Sequence, residues 1–218
     1  MKTYAVYTPS HLLLADLFRE SLAVDPDVEL DLTEVAQAGD GNYGCDGWGG
    51  VTREKVAHWL RAVDENPGGL FVFSDVDVVF TRPFVAWGVE ALGDLDVMFQ
   101  KETANNSTAC SGFFMARGTE RTRQLFERVL DKMLKGEPHD QKALNHVLAS
   151  WTRRSVRYGL FDRAVVTNFS NHVKNRHKAL LEHLPFDTMR VFHANRCPLD
   201  VKPLAMRRAV QKVAKWRK

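Results

Sequence analysis

The sequence predicts a single α/β domain, a mixed and mostly parallel sheet flanked by helices. Three observations carry that expectation. Short strand-like runs alternate along the chain with segments of helical periodicity. The run Leu70-Phe71-Val72-Phe73 is apolar at every position, as in a strand covered on both faces. With 44% hydrophobic residues, 13 Phe and 5 Trp, the 218 residues can also bury a full core.

Residues 4–7 have a strand pattern that stops at Thr8-Pro9, and Ser10 offers an N-cap for a helix over about 11–24. After the turn Asp25-Pro26-Asp27, residues 28–32 alternate like a second strand. A loop with six glycines between Gly39 and Gly50 follows. From Thr52 onward Val56, Trp59, Leu60 and Val63 recur at helical spacing, until Asn66-Pro67-Gly68-Gly69 ends the helix before the strand at 70–73. Strands are expected again at 96–100 and 112–116, with helices at about 119–134 and 139–151. Short strands near 156–161 and 189–193 complete the sheet, and residues 204–216 form a last amphipathic helix. The organisation is thus one domain over 1–203 and a basic helix or tail over 204–218.

Composition excludes several classes. No apolar run approaches the roughly 18 residues of a membrane-spanning helix, and the half-polar N-terminus lacks a secretory pattern. Cys45, Cys110 and Cys197 are far apart and show no CxxC spacing, which suits a reducing cytoplasm rather than a disulfide framework or zinc site. Net charge is +3, but the last twelve residues hold six cations and no acid, so residues 1–206 are net acidic. The basic character belongs to the tail, and no nucleic-acid surface is expected. Dinucleotide, Walker-loop and α/β-hydrolase signatures are absent.

The chemistry gathers at Ser74-Asp75-Val76-Asp77, where an apolar strand runs into two carboxylates. Ligands of open α/β sheets bind at the carboxyl ends of strands. In extended geometry residues i and i+2 share a face, so Asp75 and Asp77 are expected to reach one hard divalent cation. The plainer alternative is a pair of acids closing a strand.

Four segments taken together, Asp75-Val76-Asp77, Cys110-Ser111-Gly112-Phe113-Phe114, Asp140-Gln141-Lys142-Ala143-Leu144-Asn145 and Phe192-His193-Ala194-Asn195, resemble the GT-A-type nucleotide-diphospho-sugar glycosyltransferases. The resemblance runs from the first strand to about Pro203. It implies a Rossmann-like GT-A fold and metal-dependent transfer of a hexosyl or pentosyl group from a nucleoside-diphosphate sugar to a glycan or lipid-linked acceptor. Asp75, Asp77 and His193 would then hold Mn2+ or Mg2+. Asp140 and Gln141 would face the transferred sugar as catalytic residues, and Thr8 and Pro9 would contact the nucleotide. Ser111 and Gly112 would let backbone approach the donor, since glycine removes an obstructing Cβ. The late histidine and the Asp-Gln helix start resemble retaining members.

Other residues read two ways. Lys55 reaches the diphosphate or is an ordinary helical lysine, and Arg82 is similar. Trp48 stacks on a ligand or packs in the core. Asn105-Asn106-Ser107-Thr108 holds hydroxyls or is a solvated loop. In the tail, Met206, Val210, Val213 and Ala214 share one helical face, which either contacts an anionic membrane surface or packs on the core. A haloacid-dehalogenase-like phosphatase and a non-catalytic nucleotide-sugar or carbohydrate-binding module are the alternative functions.

Overall fold

The computed structural model describes residues 1–37, 39–40, 44–103, 107–150, 155–168, 184–195 and 197–216. Its elements are β1 (Lys2–Tyr7), α1 (Leu12–Leu22), β2 (Glu29–Glu34), α2 (Trp48–Glu65), β3 (Leu70–Asp75), β4 (Val78–Phe80), α3 (Val85–Leu92) and β5 (Val97–Lys101). They continue with β6 (Ala109–Arg117), α4 (Glu120–Leu134), α5 (Asp140–Ser150), β7 (Tyr158–Leu160), β8 (Val166–Asn168), β9 (Val191–His193) and α6 (Lys202–Trp216).

Six strands form the main sheet in the order β2-β1-β3-β6-β5-β7, with β6 antiparallel to an otherwise parallel set. A smaller sheet, β4-β9-β8, leaves the end of β3. Side chains alternate across the main sheet. Phe71, Phe73, Phe99 and Phe114 enter one apolar layer with α2, α4 and α5, while Val72, Met98, Phe113 and Met115 enter the other with α1, α3 and α6. Trp59 anchors the first layer, its ring 5.9, 5.3 and 5.2 Å from Phe73, Phe114 and Phe126. The α/β architecture expected of the sequence is the one observed, and β3 is covered on both faces.

Local differences have physical causes. The first turn after β1 is a 3-10 turn over Pro9–His11, and Ser10 caps nothing, because Pro9 supplies the fixed φ of a helix start one residue earlier. Helix α2 starts at Trp48, drawing the last glycines of the loop into its first turn behind Gly47 at φ +82°. Strands β4 and β8 are too short to show a period, and α3 turns inward Val85, Gly88 and Leu92, of which the glycine breaks the apolar pattern. Asp25, at a turn in sequence, proves to be buried and accepts the Phe84 and Val85 N–H groups at 2.6 and 2.8 Å, tying down the start of α3. Trp151, expected to end α5, lies outside the described residues.

The final helix begins at Lys202, ahead of the boundary drawn at 203/204, and Ala205, Met206, Ala209 and Val213 pack into the same apolar layer as α1 and β4. The apolar face offered for lipid is therefore turned inward, except for exposed Ala214 and half-buried Val210. No helix among the described residues is long and apolar enough to cross a membrane.

Candidate active site

Asp75 is the last residue of β3, and Asp77 lies not on an extended strand, as expected, but in the turn to β4. Pairing with β9 explains the turn. Ala194 N–H donates to the Asp77 carbonyl at 2.8 Å and Val78 faces His193 across the ladder. Asp77 Oδ1 consequently sits 3.0 Å from His193 Nε2, and one ligand atom from each of Asp75, Asp77 and His193 falls within 4.8 Å of the others. Strand β6 completes the corner. Its register with β5 slips between Phe99 and Gln100, and the freed stretch carries Ser111 and Gly112. A Cβ on Gly112 would stand 2.4 Å from His193 Cε1 and 2.7 Å from Asp75 Oδ2, so the backbone approaches as it does only because the residue is glycine.

Two lysines, buried Lys55 and half-buried Lys202, balance these acids. Lys55 Nζ lies 2.7 Å from Asp75 Oδ1 and 2.9 Å from Asp140 Oδ2. Lys202 Nζ, from the first turn of α6, lies 2.6 Å from Asp77 Oδ2. Burial disfavours charge on every member, and the partners decide the outcome. Burial raises the Asp75 carboxyl above its ordinary value despite Lys55. Burial opposes ionisation of Asp77 too, but Lys202 and His193 hold it well below the usual range. Asp140 is likewise lowered against its burial, by Lys55. Both lysines are raised against theirs by the neighbouring acids, so both are ammonium ions at neutral pH.

One side chain ties helix α5 to both backbone groups of Ala109 at the start of β6. Asn145 Oδ1 accepts from Ala109 N at 2.9 Å, and its Nδ2 donates to Ala109 O at 2.8 Å and to Gln141 O at 2.7 Å. The clamp holds the first turn of α5, with Asp140 and Gln141, against Ser111, whose N–H points to Gln141 Oε1 at 3.4 Å.

These groups line one cleft of about 870 Å³. Thr8, Lys55, Asp75, Asp77, Ser111, Gly112, Asp140, Gln141 and His193, all singled out in the sequence, border it together. Pro9 does not: it is exposed at the head of the 3-10 turn, where its ring sets the backbone. Trp48 borders the cleft with its ring 4.9 Å from His139, rather than joining the core. Arg82 is spent on the Phe186 carbonyl at 3.0 Å. Asn105 and Asn106 lie outside the described residues. Sequence reasoning missed Lys202, which no local pattern marks, and Gln100, whose Oε1 lies 2.7 Å from His193 Nδ1.

The donor set suits a divalent cation. Two carboxylates and one imidazole are ligands that manganese accepts and magnesium accepts less readily. The Gln100 amide on Nδ1 orients the ring with Nε2 toward the acids.

A family model for nucleotide-diphospho-sugar transferases matches residues 25–202. The chain belongs to that family. Among curated protein sequences none matches this transferase. Solved structures share its fold. A glycosyltransferase involved in glycosylation of the major capsid of PBCV-1 superposes with a TM-score of 0.64 at 13% identity, covering 94% of this chain and 98% of the other. The galactosyltransferase LgtC, solved with donor and acceptor sugar analogs, gives 0.56 at 12% identity over 97% and 96%. The glycosyltransferase GlyE of Streptococcus pneumoniae TIGR4 gives 0.59 at 10% identity, this transferase spanning 62% of its length. The fold class is therefore that of GT-A glycosyltransferases, and the family gives no support to a haloacid-dehalogenase-like phosphatase.

Proposed function

We propose that the transferase moves a hexosyl or pentosyl group from a nucleoside-diphosphate sugar to a hydroxyl of a glycan or lipid-linked acceptor, depends on Mn2+ or Mg2+, and retains the anomeric configuration. The observation that carries the reading is the meeting of Asp75, Asp77 and His193 around the missing Cβ of Gly112. A bound divalent cation supplies positive charge where the departing diphosphate gains negative charge. Asp75, Asp77 and His193 would hold it, and Lys202 adds a cation beside them. Thr8, just past the end of β1 that pairs with Asp75, borders the space for the nucleoside. Asp140 and Gln141 face the transferred sugar, their positions fixed by Lys55 and by the Asn145 clamp.

The retaining reading is supported by how the acids are engaged. Lysines hold the Asp77 and Asp140 carboxyls below the usual range, which makes them poor proton acceptors, and Asp75 would be taken up by the cation, so the acceptor proton goes to the departing phosphate itself.

The test is a panel of nucleoside-diphosphate sugars with Mn2+, read by product NMR. Turnover is expected to vanish in excess chelator and in Asp75→Ala and Asp77→Ala, and the product is expected to keep the donor's anomeric coupling. Turnover in chelator would overturn the metal role, and an inverted linkage the retaining mechanism. Donor binding without transfer or hydrolysis would leave the non-catalytic binding module.

A further inference from the structure

The residues that would hold the cation come from two different sheets. Asp75 closes β3 of the main sheet, whereas His193 stands on β9 of the small one. Fully buried Gln100, on β5 of the main sheet just past its slip in register, spans the gap between them. Its Nε2 donates to Thr167 O of β8 at 3.3 Å, and its Oε1 lies 2.7 Å from His193 Nδ1. Beside it Asn168 Nδ2 donates to Lys101 O at 3.2 Å and to Glu102 O at 2.8 Å, so β8 is sewn to the end of β5. Asn168 is also the register partner of His193 in the β8–β9 ladder.

The Gln100 amide can sit only one way. Thr167 O is a carbonyl oxygen and accepts, so turning the amide over would set two oxygens against each other. Oε1 therefore faces His193 as an acceptor, and Nδ1 carries the proton it receives. The Cys110 thiol, 3.8 Å from the same nitrogen, is too weak a donor to reverse that choice. The nitrogen left for a cation is Nε2, which stands 3.0 Å from Asp77 Oδ1.

We propose that Gln100 is the positioning residue of the metal centre, an assignment that rests on the metal-dependent reading above. It reserves Nε2 of His193 for the cation and fixes the ligand of the small sheet against the ligand of the main sheet. Without its oxygen the imidazole can place its proton on either nitrogen, and part of the ring population can no longer coordinate. A side chain that does not touch the cation thus sets how tightly the cation is held.

The experiment uses the full chain with Mn2+ as the probe, alone and with a nucleoside diphosphate. Gln100→Leu, of similar size but without hydrogen-bonding groups, is expected to lower Mn2+ affinity about tenfold to a hundredfold by calorimetry. Gln100→Glu keeps an oxygen acceptor on Nδ1 and is expected to bind Mn2+ about fivefold or more tighter than Gln100→Leu. A residue that only fills space would not separate the two substitutions. In the metal-free wild type, 15N spectra of labelled imidazole are expected to show a proton on Nδ1 of His193, and this measurement decides the matter if neither variant folds. Equal Mn2+ affinity in the two variants, at the wild-type level or below it, would overturn the assignment, as would a bare Nδ1 in the wild type. A wild type that binds Mn2+ neither alone nor with a nucleoside diphosphate would instead overturn the metal-dependent reading, and the positioning role with it.

Discussion

Gly112 is the residue on which the candidate site turns, because its absent side chain is the space in which His193 and Asp75 meet. Gly112→Ala is expected to lower Mn2+ affinity and turnover by a hundredfold or more, an effect of about 3 kcal/mol, while the fold loses only about 1–3 kcal/mol. Calorimetric titration with Mn2+ and urea unfolding measure the two separately. The carboxylates make a second prediction, with signs that differ. The pKa of Asp140 is depressed in the folded protein, so its contribution to stability is present above the unfolded carboxyl value and is lost as pH falls through the folded one. The pKa of Asp75 is raised, so its ionised form weighs against folding at neutral pH and that burden lifts on acidification. Asp140→Asn should therefore destabilise most near about pH 7 and progressively less toward about pH 3, whereas Asp75→Asn should be neutral or stabilising near about pH 7. Urea titrations of both variants across that range check the opposition. Asp75 and Asp77 were legible in the sequence because acids rarely follow an apolar strand at this spacing. Lys55 was half legible. Lys202 was not, since nothing local tells a lysine that meets a buried acid from one that faces water.

At the scale of elements, one amide that acts as donor and acceptor at once ties α5 to β6, beside the Ser111–Gln141 contact and the apolar packing of the helix. Asn145→Asp keeps the size but loses the donor and sets a carboxylate against two carbonyl oxygens. It should cost at least as much as Asn145→Ala, about 1–3 kcal/mol, and should lower turnover more than donor affinity by loosening Gln141. Thermal melting and steady-state kinetics of the two variants test it, and a milder Asn145→Asp would refute the donor role. The long elements were readable because burial on one side imposes a period over several turns, as in α4, where Leu125, Phe126, Val129 and Met133 all face inward. Three-residue strands such as β4 and β9 show no period. Their pairing, and with it the turn that brings Asp77 to His193, is decided by contacts distant in sequence.

For the whole molecule, the two apolar layers meet at β3 and β6, and the largest buried side chain, Trp59, lies in the layer behind the site. Trp59→Leu should unfold in urea with a loss of about 3 kcal/mol or more. The thiols report the same compactness. Cys110 is pushed well above its ordinary value by burial, and Cys197 up to about 12 for the same reason, while Cys45 is half-exposed. Mass spectrometry after brief iodoacetamide treatment is expected to find one alkyl group on the native protein, at Cys45, and three after denaturation. The expected α/β architecture emerged from patterning alone, but the joining of its two ends did not. Asp77 and Lys202 are 125 positions apart, so the cation reaches the acid only when α6 has docked against β4 and β9. A partly folded chain can complete the main sheet and still leave Asp77 without its cation and the cleft without a wall. Copies caught at that stage are thus silent intermediates that neither capture nor squander activated sugar, and competence arrives only with the docking of one helix.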